Sequence, residues 1–203
     1  MILDILFPDR CFYCGKIGRT ICSNCLAKIN KPYLFRKVND DYFDYVFCGS
    51  FYRGFIKSRI HSFKFHKKAH LYKYFIELCL RDKKIVEFLK KFDYIVCVPM
   101  HYKKELKRGY NQSKLLAEEL GRKLDVEVLD CLEKVKENKT QSLLSEKERA
   151  KNVKNVFEYR GEIDLKNKNI ILVDDILTTG STVREISKML KENKANIICI
   201  FSI

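Results

Sequence analysis

The chain has 203 residues, a formal charge of +14 and 46% hydrophobic residues, a content that excludes a disordered polyelectrolyte and suffices for one α/β domain with a small appendage. No run reaches the roughly eighteen continuous apolar residues of a membrane helix, so no span is predicted. Neither a Walker loop nor a dinucleotide G-x-G-x-x-G fingerprint occurs, which removes two common classes of nucleotide site.

Residues 1–32 read as a metal module. Cys11-x-x-Cys14 and Cys22-x-x-Cys25 present two cysteine pairs seven residues apart. Each C-x-x-C turn aims two sulfurs at one point, and two such turns close a tetrahedral Cys₄ shell around Zn²⁺. A filled shell leaves no position for water, so the expected zinc is structural. Two disulfides or a redox dithiol would use the same residues. Met1 to Phe7 is too short for a secretory signal and carries Asp4, and the βαβ context of a thioredoxin-like dithiol is missing. The other cysteines, at 48, 79, 97, 131 and 199, stand singly among apolar neighbours and are expected as small core residues. An unpaired set of this kind suits a reducing compartment, which places the protein in the cytoplasm.

Residues 33–91 are expected to form a helical hood. No acid lies between Tyr45 and Ile76, whereas Arg53, Lys57, Arg59, Lys64, Lys67, Lys68 and Lys73 occur there with His61, His66 and His70. Phe51, Tyr52, Phe55, Phe63, Phe65, Tyr72, Tyr74 and Phe75 are interleaved. Cations tracking a backbone and rings stacking on bases suit single-stranded DNA, with Arg53, Lys57, Arg59, Lys64, Lys67 and Lys68 as contact candidates. Helices that pack their rings inward beneath a solvated basic face would show the same pattern, and the sequence leaves both open.

Residues 92–203 read as the α/β domain. Tyr94 to Val98 is a buried strand stopped by Pro99; a cationic loop with Lys103, Lys104 and Arg108 follows, then Gly109 and a helix from about Asn111 to Lys123 with Leu115, Leu116 and Leu120 inward. A second strand is expected at Val126 to Leu129. The polar stretch from Lys134 to Glu148 reads as a flap over a ligand.

Ile170 to Val173 is apolar throughout, as a strand buried on both faces requires, and runs into Asp174-Asp175-Ile176-Leu177-Thr178-Thr179-Gly180-Ser181-Thr182. Val183, Ile186, Met189 and Leu190 then mark one face of a helix over 182–191, ahead of a last strand at Ile197 to Phe201. The turn therefore sits at a strand's carboxyl end and a helix's amino end, where main-chain N–H groups, the helix dipole and the hydroxyls of Thr178, Thr179, Ser181 and Thr182 favour a phosphate. Gly180 lets the backbone approach. Asp174 and Asp175 accept hydrogen bonds and suit vicinal hydroxyls, so the turn is predicted to hold a ribose 5-phosphate by both ends.

Two acids followed by T-T-G-S-T after an apolar strand resemble the phosphoribosyl pyrophosphate (PRPP) signature of type I phosphoribosyltransferases. Over nearly its whole length the chain resembles the ComF family of competence-associated, phosphoribosyltransferase-like proteins. That resemblance rests on the four-cysteine module, Lys64-Phe65-His66, Pro99 to Lys104, Arg108 to Gln112, Thr140 to Arg149 with Asn152 and Phe157, and the acid-pair turn. One departure is that lysines stand at 103 and 104, where arginine is commoner in the family. The resemblance implies a type I phosphoribosyltransferase-like parallel sheet with helices on both faces, beneath the zinc module and the hood. It implies PRPP with Mg²⁺ at the site, Asp174 and Asp175 on the ribose in a catalytic role, and Lys103, Lys104 and Arg108 on the pyrophosphate. It further implies handling of single-stranded DNA in natural transformation alongside a competence helicase, or alternatively transfer of a phosphoribosyl group to an acceptor the sequence does not identify.

Overall fold

The central strands are the most apolar segments, and they dictate the architecture. In the computed structural model, residues 10–18, 21–28, 33–136, 156–161 and 163–203 are described, with backbone alone for 26–28. A six-stranded sheet is built from β1 (Leu34–Lys37), β2 (Tyr45–Cys48), β3 (Tyr94–Cys97), β4 (Glu127–Leu129), β7 (Ile170–Val173) and β8 (Ile198–Ser202) in the order β1-β2-β8-β7-β3-β4. All pairs are parallel except β1 with β2. A separate antiparallel ribbon joins β5 (Leu132–Lys134) to β6 (Phe157–Tyr159).

Alternation of side chains along each strand divides the core between the two faces. Ile95 and Cys97, Ile171 and Val173, and Cys199 and Phe201 face one cluster, which contains Ile60 and Phe63 of α2 (Gly54–Phe65), Phe75 and Ile76 of α3 (Leu71–Cys79), Leu89 of α4 (Lys83–Leu89), and Leu116 and Leu120 of α6 (Gln112–Leu124). Val96, Ile170, Leu172, Ile198 and Ile200 face the other, closed by Val183, Ile186 and Leu190 of α7 (Ser181–Glu192). Burying those three α7 side chains contributes about 1.5–3 kcal/mol each. Both faces of the sheet are thus covered by helices, as expected.

The hood region adds more than helices. β1 and β2 lie in it, and β2 pairs in parallel with β8 through Tyr45↔Cys199 to Cys48↔Ser202. The cationic segment expected as a loop is also different: Tyr102–Arg108 is a helix, α5, capped by Gly109 in the left-handed region (φ 91°) with its N–H on the Glu105 carbonyl. α5 buries no side chain, and Leu106 is 78% exposed. Without an apolar face it carries no periodic signal. α6 follows after Asn111, whose side-chain oxygen accepts from the Ser113 N–H at 3.0 Å while its Nδ2 donates to the Val98 carbonyl at 3.1 Å. The helix can lie close to β4 because position 121 is glycine: a Cβ there would meet the Val126 carbonyl oxygen at 2.7 Å and Val128 Cγ2 at 2.6 Å.

α1 (Ser23–Lys28) belongs to the four-cysteine module, and Phe12 of that module stacks on Tyr74 at 5.2 Å and meets Phe55 and Phe75 edge-on. Cys79, Cys97, Cys131 and Cys199 are buried core residues, and Cys48 is half-buried, with Ser202 Oγ donating to its sulfur. Burial pushes the Cys97 thiol up to about 12 and that of Cys131 to about 11, which keeps both unreactive at neutral pH. The predicted flap beyond residue 136, and the Thr140–Arg149 motif with Asn152, lie outside the described residues.

Candidate sugar-phosphate site and four-cysteine cluster

The acid pair leaves the carboxyl end of β7, beside the ends of β3 and β8 through Cys97↔Val173 and Val173↔Phe201. Asp174 N–H continues the ladder onto the Phe201 carbonyl. Its Oδ1 accepts from the Asp175 N–H at 2.8 Å and from Ser113 Oγ at 3.2 Å. Burial, and next the neighbouring Asp175 charge, push the Asp174 carboxyl up to about 7 against the opposing pull of Lys64. Asp175 is held differently. Lys64 Nζ reaches its Oδ1 at 2.9 Å and its Oδ2 at 2.8 Å, in a pair whose side chains are only 20% and 14% exposed.

After the pair, Thr178 and Thr179 are exposed, and Ser181 and Thr182 are half-buried. Gly180 adopts the left-handed conformation (φ 76°, ψ −2°) at the amino end of α7, and its carbonyl accepts from the Arg184 N–H at 2.8 Å. A side chain there would be strained, so the glycine is what lets the turn present its edge. Thr179 Oγ1 and Ser181 Oγ lie 3.0 Å apart. Of the three cations assigned to pyrophosphate, Lys103 and Lys104 are exposed on α5. Arg108 is half-buried: its Nη1 donates to Gln112 Oε1 at 2.6 Å, its guanidinium covers the Phe65 ring at 5.3 Å, and burial lowers its pKa, opposed by the Asp175 charge nearby.

Of the residues proposed to touch DNA, Lys64 is thus drawn into the acid pair, a departure from its expected place on the basic face. Arg53, Lys57, Lys67 and Lys68 are exposed, while Arg59 lies over the Phe55 ring at 4.6 Å. The interleaved rings divide likewise: Phe63 and Phe75 are in the core, whereas Phe51, Tyr52 and Phe65 are exposed. An open cleft of about 460 Å³ runs between hood and cysteine module, lined by Arg10, Arg59, Lys68, His70, Tyr13 and Tyr74 among others.

Sequence reasoning missed Ser113 and the role of Lys64. The signal for Ser113 was the cap at Asn111, which fixes the start of α6 and so puts Ser113 in its first turn beside the adjacent strand end. Lys64 lies 111 residues from its partner, and only the folded chain joins them.

The sulfurs of Cys11, Cys14, Cys22 and Cys25 all lie within 4.8 Å of one another, with Cys14 and Cys22 at 3.7 Å. Tetrahedral coordination at about 2.3 Å per bond separates sulfurs by about 3.8 Å, so the cluster fits a four-sulfur metal site. Burial pushes the Cys11 thiol up, but N–H groups of Cys22, Cys14 and Tyr13 outweigh it and bring it to about 6. Cys22 N–H lies 3.4 Å from Cys11 Sγ. Main-chain donors of this kind favour the thiolate a metal requires.

A family model described as a phosphoribosyl transferase domain matches residues 108–203. Competence protein F of Haemophilus influenzae is 32% identical over 191 residues, covering 89% of this chain and 79% of that protein. DNA utilization protein YhgH of Escherichia coli is 32% identical over 70% of this chain, which spans 63% of YhgH; competence protein ComFC of Streptococcus pneumoniae is 32% identical over 56% of the chain and 48% of its own length. Among solved structures, a hypoxanthine phosphoribosyltransferase from Staphylococcus aureus aligns over 60% of this chain and 58% of its own, at 16% identity and a TM-score of 0.37. Among the described residues no helix is long and apolar enough to cross a membrane.

Proposed function

Because the chain belongs to the family of competence protein F and carries a phosphoribosyltransferase-type α/β domain, we propose that it binds PRPP or another 5-phosphorylated ribose at the acid-pair turn and handles single-stranded DNA in natural transformation. The observation that carries the first half is the juxtaposition at the end of β7: two carboxyls of different character, a left-handed glycine, and the amino end of α7 within one turn. The phosphate sits on the α7 end, and the carboxyl oxygens accept from the sugar hydroxyls. Arg108, Lys103 and Lys104 would supply positive charge for the pyrophosphate. Mg²⁺ arriving with PRPP would supply charge neutralisation at the pyrophosphate. Were the site to turn over, the chain's groups would act by orienting the sugar and stabilising the departing charge. The cysteine cluster holds structural Zn²⁺, the metal that favours four thiolates in tetrahedral array.

The DNA half is supported by the relatives' names and by the basic, ring-lined cleft between hood and cysteine module. The sugar-phosphate half is tested by melting with PRPP and Mg²⁺. At about a hundredfold over Kd the ligand adds about 2.7 kcal/mol of stability, and D174N/D175N loses that shift. Pyrophosphate release over a panel of acceptors, measured on the same samples, separates turnover from binding. A wild-type protein whose melting PRPP leaves unmoved refutes the reading.

A further inference from the structure

Lys64 has no part in the reading above beyond its contact with Asp175, yet its setting is more specific than a surface ion pair. It projects from the last turn of α2, a hood helix, and grips both oxygens of an acid at the end of a core strand. α2 is bolted down around it. Phe63, one residue earlier, is wholly buried, its carbonyl accepts from Tyr110 Oη at 2.5 Å, and its ring stacks on Tyr110. Phe65, one residue later, lies under the Arg108 guanidinium. Tyr110 and Arg108 precede α6, which supplies Ser113 to Asp174. The hood and the α5–α6 segment therefore converge on the two acids, one cation on Asp175 and one hydroxyl on Asp174.

A bidentate ammonium uses one lone pair on each carboxylate oxygen and leaves the others for further donors. With both partners mostly buried, the pair is fixed in place and is screened far less than an exposed one. We propose that Lys64 is a positioning residue for the sugar site: it holds the Asp175 carboxylate oriented so that its remaining acceptor directions receive the vicinal hydroxyls of the ribose. The inference rests on the sugar-phosphate reading and deepens it. Arg108, the other cation near Asp175, does not duplicate this role, because its guanidinium is engaged by Gln112 and covers Phe65. The consequence is selectivity at the hydroxyl end of the ligand, with the phosphate end, on α7, left alone.

The experiment compares ribose 5-phosphate with 2-deoxyribose 5-phosphate by calorimetry, with inorganic phosphate as control. Wild type prefers the ribose compound. In K64M, and in K64Q should K64M not melt cooperatively, ribose 5-phosphate weakens by about tenfold. The preference collapses toward unity, and inorganic phosphate binds as in wild type. K64R restores most of the preference. A folded K64M or K64Q with the wild-type preference, a K64R that behaves like K64M, or tighter ribose 5-phosphate binding once Lys64 is gone overturns the proposal, the last by showing that the lysine obstructs the site. A wild type that binds both sugar phosphates equally also overturns it, whereas a wild type that binds neither removes the sugar-phosphate reading beneath it.

Discussion

Asp174 and Asp175 are neighbours in sequence and opposites in chemistry. Asp175 has a cation on both oxygens, while Asp174 is pushed up to about 7 by burial first and by its neighbour's charge second. The sign for stability follows. A carboxyl at about 3.8 when unfolded and about 7 when folded binds more protons in the native state, so its contribution falls as pH rises from about 4 through about 7 and is flat above. D174N, which cannot ionise, is therefore expected to melt higher than wild type at pH 8, with the gap shrinking as pH falls from about 7 to about 4; a gap that stays constant across that range would show that Asp174 titrates normally. The acids, the glycine and the hydroxyls were legible in the sequence because they are contiguous. Lys64 was legible only as a charge, since nothing local distinguishes a lysine facing solvent from one turned onto an acid 111 residues away.

At the scale of elements, strands and helices with an apolar pattern were readable to within a residue or two. β7 and β3 carry continuous buried runs, and α6 and α7 bury most of the expected stripes, with Leu115 and Met189 half-buried. α5 was not readable, because a seven-residue helix held by its terminal glycine and no core contact has no hydrophobic period. β1 and β2 were hidden for another reason. They are four residues each, and their strand character comes from long-range and edge pairing, β2 on β8 and β1 on β2. The hood helices also sorted the basic residues in a way composition could not, turning Lys64 inward and leaving Lys68 at the cleft. If that cleft tracks a single strand, R10A/K68A should weaken binding to labelled single-stranded DNA and flatten the plot of log affinity against log salt by about 1.4, from about 0.7 per lost cation. An unchanged slope in a folded variant would move the interface elsewhere.

At the scale of the whole molecule the cysteine module is tied to the hood by an aromatic contact. Its Phe12 is inserted among Tyr74, Phe55 and Phe75, so the module's order is passed to α2 and α3. Protein purified without added metal should carry about one equivalent of zinc, and stripping it, or making C11S/C25S, should lower the melting temperature and loosen the hood as well as the module. A stripped protein that melts unchanged would count against a structural metal. The two-sided sheet itself followed from the apolar strand runs, whereas the wrapping of the hood around it did not, because long-range pairing leaves no trace in local pattern. Since β2 is the neighbour of β8, the hood cannot be cut away as an accessory. A fragment starting at residue 92 would bare the flank of Ile198–Ser202, an oily ribbon with its amide and carbonyl row unmet, and such a flank invites other chains to zip on.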